Sequence, residues 1–306
     1  MALYTKHRPL EFDEMIGNES VVNSVSAVLS RKRKEIPHSW MFVGPSGCGK
    51  TTLARIIANT LGAHETEICE VNFANTKGVD TAREISRNMS YKPSVGKCRV
   101  WILDEFHEAT SDAMNCLLKP MEDTPNHVYF ILCTTNPQKI IPTIKTRCMT
   151  YELQSYTDEE LMTLLTSVVE KENKSVHEKV LKIIARDSIG SARMALNVLD
   201  KIIDLPEEDQ VKEAHTQSEQ ENEAIALCRV LIGGKSKPDW RSVADVIKNL
   251  KMDPEKVRQS VLGYASAVLL NSGAPRAYVV LECFNDNFYS TGRSGLVRAC
   301  YMAVHG

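Results

Sequence analysis

Residues 40–62 read WMFVGPSGCGKTTLARIIANTLG. A short apolar run, Trp40–Val43, is followed by a glycine-rich loop, and the loop opens a segment with helical spacing. Gly44 to Thr51, GPSGCGKT, matches G-x-x-x-x-G-K-[ST] in full. The match sits between strand and helix, the context in which the pattern cradles phosphate. The glycines let the backbone curl so that successive N–H groups face the anion, and the helix N-terminus adds the positive end of its dipole. Gly44, Pro45, Ser46, Gly47, Cys48, Gly49, Lys50, Thr51 and Thr52 are therefore the expected nucleotide-binding residues. Lys50 is expected to reach the β- and γ-phosphates. The Thr51 hydroxyl is expected on Mg²⁺, with Thr52 nearer the α/β-phosphates.

Outward from this loop, similar apolar runs recur at Glu70–Phe73, Val100–Leu103, Val128–Cys133 and Met149–Leu153. Each is short and rich in Val, Ile, Phe, Trp or Tyr, as buried strands tend to be. Helical patterns alternate with them. Thr51–Leu61 aligns Leu53, Ile56, Ile57 and Leu61, and Ala109–Met121 aligns Ala113, Cys116, Leu117 and Met121. Alternation of this kind predicts an α/β fold with a parallel sheet covered on both faces. Strand order does not follow from it.

Past Tyr151 the pattern turns helical. Asp158–Glu172, Val176–Asp187 and Ser191–Ile203 read as amphipathic helices. Thr157 is the expected N-cap of the first, and Gly190 separates the other two. Pro206–Glu223 is polar and acidic and reads as a linker, or in its second half as the solvated face of a further helix. Helical spacing resumes in Ile225–Leu231, Trp240–Leu250, Pro254–Leu270, Tyr278–Phe288 and Gly295–Val304. The expected domains are 1–154, which holds the nucleotide, a small helical lid at 155–205, and an all-helical domain at 219–306.

The composition sets bounds. At 306 residues, two or three domains are expected. The chain is 43% apolar and 25% charged with net charge −2, so no global basic field advertises nucleic acid, and any such contact needs a local patch. The nine cysteines form no C-x-x-C pair, which argues against a zinc ribbon. Scattered thiols and an N-terminus, MALYTKHRPLEF, without a signal-peptide core lead us to expect a cytoplasmic protein. No stretch approaches the roughly 18 apolar residues of a membrane span, so no membrane partner is expected.

RVWILDEFH, Arg99 to His107, is the second chemical signal. A buried strand that ends in two carboxylates places them at the edge where open α/β sheets bind ligands. Asp104 is the expected Mg²⁺ residue, and Glu105 is expected to polarise the attacking water. Either could instead cap the next helix. CTTNPQKI, Cys133 to Ile140, ends another strand, and Thr135 is the candidate to bond that water or the γ-phosphate; a simple Thr/Asn/Pro turn is the alternative. Arg147 in KTRC suits phosphate because its guanidinium is planar and permanently charged, although a lone arginine is usually a surface ion pair. Arg193 in GSAR opens a helix against its dipole, which hints at another task.

Taken in order, these motifs resemble the clamp-loader ATPases of the AAA+ superfamily, a group that includes the tau/gamma subunit of bacterial DNA polymerase III and the small subunits of replication factor C. The opening YTKHRPLEFDEMIGNESVV is similar to that family's start. GPSGCGKTTLARIIA, VDTAREI, LDEFH, NCLLKPMEDTPNHVYFILCTTNPQKIIPTIKTRC and SARMAL follow with matching order and spacing, over about residues 4–203. The resemblance implies an adenine pocket lined by Arg8, Pro9, Ile16 and Gly17. It implies Thr135 as a first sensor, Arg147 as an arginine finger reaching the ATP of a neighbouring subunit, and Arg193 as a second sensor. The C-terminal helices become a collar holding five subunits in a ring. The partners implied are a ring-shaped sliding clamp, primer–template DNA and the other loader subunits, in the cytoplasm of a bacterial or phage-infected cell. Lys77, Arg83 and Arg87 are the candidate DNA contacts, with a solvated helix face as the alternative. RKRK at 31–34 is expected to end a surface helix. Thr146 stands where the family has Ser, and Met194 where it often has Asp. The zinc cysteines of the bacterial subunit are missing between the loop helix and CEVNF.

Other readings are an AAA+ remodelling ATPase acting on DNA forks or junctions without a clamp, and an ATP-binding scaffold subunit that does not hydrolyse. A small-molecule P-loop kinase suits the helical remainder poorly.

Overall fold

The structure, a computed structural model, describes residues 1–76, 78–221, 224–232 and 238–305. It divides into two compact units, Thr5–Glu160 and a second made of Leu161–Gly306 with Met1–Tyr4.

The first unit is built on a parallel sheet. Its strands are β1 (Ser39–Val43), β2 (Ile68–Asn72), β3 (Arg99–Asp104), β4 (Val128–Thr134) and β5 (Met149–Glu152), in the order β2-β3-β4-β1-β5. Each neighbouring pair is parallel. Besides the four-residue helix Leu3–Lys6, the helices of this unit are α1 (Glu19–Leu29), α2 (Lys50–Thr60), α3 (Val79–Asn88), α4 (Ser111–Glu122) and α5 (Pro142–Lys145).

Strand side chains alternate between two cores. Trp40, Phe42, Val100, Ile102, Tyr129, Ile131 and Cys133 pack with Leu53 and Ile57 of α2. Met41, Trp101, Leu103, Phe130 and Leu132 face the other way and pack with Ile85 of α3 and Leu117 of α4. Apolar side chains therefore pack on both faces of the sheet, which is why its strands read as continuous apolar runs. β1 lies between β4 and β5, while β3 lies between β2 and β4. The C-terminal ends of β3, β4 and β1 are thus neighbours on one edge, and each carries one of the chemical motifs.

RKRK does not end a helix. α1 stops at Leu29, and Arg33–Glu35 form a separate 3₁₀ turn. There the Arg33 guanidinium donates to the Leu61 carbonyl at 3.4 Å and to the Lys97 carbonyl at 3.0 Å.

The second unit is helical. α6 (Asp158–Lys171) starts at the end of the first unit. α7 (Glu178–Asp187) and α8 (Ala192–Ile202) follow. Thr157 caps α6 as expected: its hydroxyl accepts the Glu160 N–H at 3.1 Å, and the Glu160 carboxylate accepts the Thr157 N–H at 2.8 Å, a reciprocal capping box. The stretch read as a linker is instead helical, α9 (Glu207–Glu221). Its residues are good helix formers, and Gln210 and Ala214, one turn apart, are buried. α10 (Ala224–Ile232), α11 (Trp240–Asn249), α12 (Pro254–Ser272), α13 (Pro275–Cys283) and α14 (Gly292–His305) enclose one core of Leu227, Leu231, Val243, Val261, Val280, Phe284 and Leu296. α13 starts earlier than its apolar spacing suggests because Pro275 occupies the first turn, where its missing N–H costs nothing.

Asp187 is fully buried at the end of α7 and pairs with Arg229 of α10 and, at 3.2 Å, with Arg186. Two residues on, Ile189 has φ 47°, an uncommon backbone for a β-branched residue, and packs against the C-terminal core. Gly190 follows at φ 72°. Among the described residues, no helix is long and apolar enough to cross a membrane.

Candidate nucleotide site

The loop after β1 has the shape its sequence demands. Gly47 and Gly49 have φ 78° and 99°, in the region open chiefly to glycine. A Cβ on Gly44 would stand 2.5 Å from the Leu153 carbonyl oxygen and 2.9 Å from Cys48 Sγ, so only glycine fits there. The Gly44 N–H donates to the Thr134 carbonyl at 3.1 Å, tying the loop to β4. Lys50 is 6% exposed and curls back, its Nζ donating to the Gly44 and Pro45 carbonyls at 2.8 and 2.7 Å. These carbonyls hold the ammonium at the loop's centre. Burial pushes the Cys48 thiol above its usual range, with Lys50 pulling the other way, and so keeps the sulfur neutral.

Asp104 ends β3 beside this loop. The Thr51 hydroxyl donates to Asp104 Oδ2 at 2.9 Å, and the Glu105 N–H donates to Oδ1 at 3.0 Å. A hydroxyl and a carboxylate are hard oxygen ligands of the kind Mg²⁺ takes while keeping waters and phosphate oxygens for its other positions. The residues present therefore fit that ion. Among the described residues no cluster of three or more His, Cys, Asp or Glu forms an all-protein cage.

Glu105 has φ 47° and precedes the 3₁₀ turn Phe106–Glu108. Its side chain makes no cap hydrogen bond to that turn, so the capping alternative does not describe it. Oε2 instead accepts from Thr135 Oγ1 at 3.5 Å. The structure thus brings Lys50, Thr51, Asp104, Glu105 and Thr135 to one sheet edge.

Other sequence candidates lie elsewhere on this unit. Gly17 is buried with φ 71°, against the Glu160 carboxylate, while Arg8, Pro9 and Ile16 are half-buried. Met15 and the Tyr156 hydroxyl approach Gly49, at 3.5 and 3.2 Å from where its Cβ would be, so this segment adjoins the loop. Burial pushes Tyr156 up to about 12. Arg147 Nη2 donates to Glu122 Oε2 at 3.1 Å and Nη1 donates to the Thr143 carbonyl at 2.8 Å; its buried Nε has no hydrogen-bond partner among the described residues. Arg83 and Arg87 are exposed on α3, and Arg83 pairs with Asp80 at 3.0 Å. Lys77 lies outside the described residues. Arg193 is exposed in the first turn of α8, in the second unit, where Ser191 caps the helix by accepting the Met194 N–H.

Two contacting residues had no assigned role in the sequence reading. Glu122, the partner of Arg147, lies 25 positions away, and no local pattern links them. His107 carried a signal, since it follows Glu105 by two positions in the strand-ending motif; its ring lies 3.4 Å from Glu105 Oε2.

Comparison with known proteins agrees with the resemblance read from the motifs. A family model described as DNA polymerase III, delta subunit, matches residues 72–157. DNA polymerase III subunit gamma/tau of Mycobacterium bovis is 34% identical over 226 residues, covering 66% of this chain and 39% of that protein. Subunit tau of Bacillus subtilis is 30% identical over 311 residues, covering 92% of this chain and 54% of that protein. Subunit gamma of Buchnera aphidicola is 34% identical, covering 66% and 61%. The chain thus spans less than two thirds of the length of each of these relatives. Among solved structures, a Thermotoga maritima RuvB described as a Holliday junction branch migration motor aligns with TM-score 0.60 at 20% identity, over 83% of this chain and 85% of that one. A point variant of the same RuvB covers 86% and 87% at the same TM-score and identity. By fold the chain is an α/β protein with a helical C-terminal part that resembles RuvB, and by sequence it is a relative of the gamma and tau subunits of DNA polymerase III.

Proposed function

We propose that the chain is an ATPase subunit of a DNA polymerase sliding-clamp loader, which uses ATP binding and hydrolysis to open a ring clamp and load it onto primer–template DNA. The observation that carries the reading is the meeting of the Lys50 loop, the Thr51–Asp104 pair and the Glu105–Thr135 pair on one sheet edge, in a chain related to gamma and tau subunits.

In this reading the loop N–H groups and Lys50 bind the phosphates, and Arg8, Pro9, Ile16 and Gly17 receive the adenine. Thr51 and Asp104 hold Mg²⁺, which when bound neutralises charge on the phosphate oxygens. Glu105 orients and polarises the attacking water, and Thr135 steadies it. Arg147 acts on a neighbouring subunit's nucleotide, so that hydrolysis depends on assembly. Arg193 acts from the lid, 155–205, while 219–306 form the collar of a five-membered ring. Arg83 and Arg87, exposed one turn apart on α3, and Lys77 contact DNA phosphates.

The test is steady-state ATP hydrolysis by the chain with its neighbouring replication subunits, with and without purified clamp and primer–template DNA. Strong stimulation that needs clamp and DNA together supports clamp loading. Stimulation by DNA that ignores every clamp favours the fork or junction remodeller. Binding without hydrolysis in the full assembly favours the scaffold reading.

A further inference from the structure

The loop that carries Glu105 holds a chain of polar side chains to which the reading above gives no role. His107 is the middle member. Its ring is 12% exposed, with Nδ1 3.4 Å from Glu105 Oε2 and 3.3 Å from Thr134 Oγ1. Nε2 lies 3.5 Å from Glu108 Oε1, and that same oxygen is 3.4 Å from Lys139 Nζ. The ring therefore stands between two carboxylates. One is held from the far side by Lys139 after β4, and the other is the group expected to face the attacking water.

Glu105 needs such a support. Its backbone φ of 47° fixes the direction in which the side chain leaves the strand, but its carboxylate makes no capping hydrogen bond to the turn it begins. Thr135 reaches one oxygen at 3.5 Å, a long contact. A carboxylate held so lightly samples several rotamers, and rates fall steeply when a catalytic group strays by about 1 Å. The ring edge closes one side of that range. When protonated it carries an N–H at each nitrogen, and its charge stands between the Glu105 and Glu108 carboxylates, 3.4 and 3.5 Å away. When neutral it carries one N–H: at Nδ1 the N–H lies on the side of Glu105 Oε2, and at Nε2 it lies on the side of Glu108 while Nδ1 accepts from the Thr134 hydroxyl.

We infer that His107 is a positioning residue for Glu105, fixing the carboxylate for water activation through a support that runs Lys139–Glu108–His107–Glu105. The inference rests on the ATPase reading of the site and deepens it.

The test compares wild type, His107→Ala, His107→Gln and His107→Phe in the full assembly, with Lys50→Ala as the control for the site itself. His107→Ala is expected to lower kcat about tenfold or more, while KM for ATP and the affinity for ADP and Mg²⁺ stay within about twofold, because nothing that binds nucleotide is touched. His107→Gln, whose amide can restore one bond, should recover most of the rate, and His107→Phe, which keeps the ring shape without nitrogen, should not. An unchanged or raised kcat in His107→Ala overturns the inference. So does equal rescue by Phe and Gln, which reduces the ring to packing, or a loss that lies in KM. If wild type itself hydrolyses no faster than Lys50→Ala, the ATPase reading has failed, and the role of His107 falls with it.

Discussion

Gly44→Ala is the sharpest test of how the nucleotide loop is held. The added Cβ would sit 2.5 Å from the Leu153 carbonyl oxygen and 2.9 Å from Cys48 Sγ. Carbon and carbonyl oxygen seldom approach closer than about 3.3 Å, so backbone must open by roughly 0.8 Å. The obstructing atom is main chain and cannot swing aside like a side chain. Leu153 donates its N–H to the Val43 carbonyl at 2.7 Å, and Gly44 donates to the Thr134 carbonyl at 3.1 Å; both bonds straddle the clash. Overpacking of this kind costs about 1–3 kcal/mol, and a weakened backbone hydrogen bond adds about 1, so about 2–4 kcal/mol is expected. Gly78→Ala is the control. The Cβ there would find its nearest neighbour, the Asp80 backbone nitrogen, at 4.0 Å, and the backbone φ is −83°. Gly78 is the N-cap of α3, where alanine is the poorer residue, so its cost should stay within about 1 kcal/mol. The assay is urea unfolding of both variants, paired with titration of a fluorescent ATP analogue. If Gly44→Ala unfolds at the same midpoint as Gly78→Ala and binds nucleotide with wild-type affinity, the loop is not clamped against β5 and the reasoning is wrong.

Four further outcomes are expected. Lys50→Ala abolishes nucleotide binding, as isothermal calorimetry with ATP and ADP would show. Arg147→Ala retains binding but loses assembly-dependent hydrolysis; normal turnover by this variant in the full complex would falsify the finger assignment. Arg229→Met strips the fully buried Asp187 of its closest cation and should cost about 3–5 kcal/mol, read as a lower denaturation midpoint of the helical unit. The Arg258 hydrogen bonds hold the Glu255 carboxyl below its usual range despite its burial. A depressed carboxylate stabilises fully above its unfolded value, about 4.3, and that stability is lost as pH falls through the lower folded value. The stability gap between wild type and Glu255→Gln should therefore be constant from pH 7 to about 5 and shrink below that.

The sequence exposed what local chemistry dictates. Strands buried on both faces must be nearly all apolar, so β1, β3 and β4 stood out, and a phosphate loop needs its glycines at fixed positions. What it hid depends on distance along the chain or on weak contrast. α9 buries Gln210 and Ala214 in a largely polar helix, too faint a stripe for periodicity to find. Arg33 looked like one of four similar basic residues, yet its partners are carbonyls 28 and 64 positions away. Glu122 beside Arg147, and Arg229 beside Asp187, are likewise products of tertiary folding. His107 was in plain view beside Glu105, but only the folded loop gives its ring a second carboxylate at Glu108.

The shortness of β5 has a consequence for a ring of such chains. Arg147 lies two residues before this strand, and Leu153, whose carbonyl oxygen leaves no room for a Cβ on Gly44, lies just after it. From Met149 to Glu152 the strand is only about 13 Å long at roughly 3.3 Å per residue. The residue proposed to act on the next subunit's ATP and the backbone that packs against this subunit's own loop thus flank one short strand. In the proposed ring, the backbone that packs against a subunit's own loop and the arginine offered to its neighbour would be joined by four residues of strand.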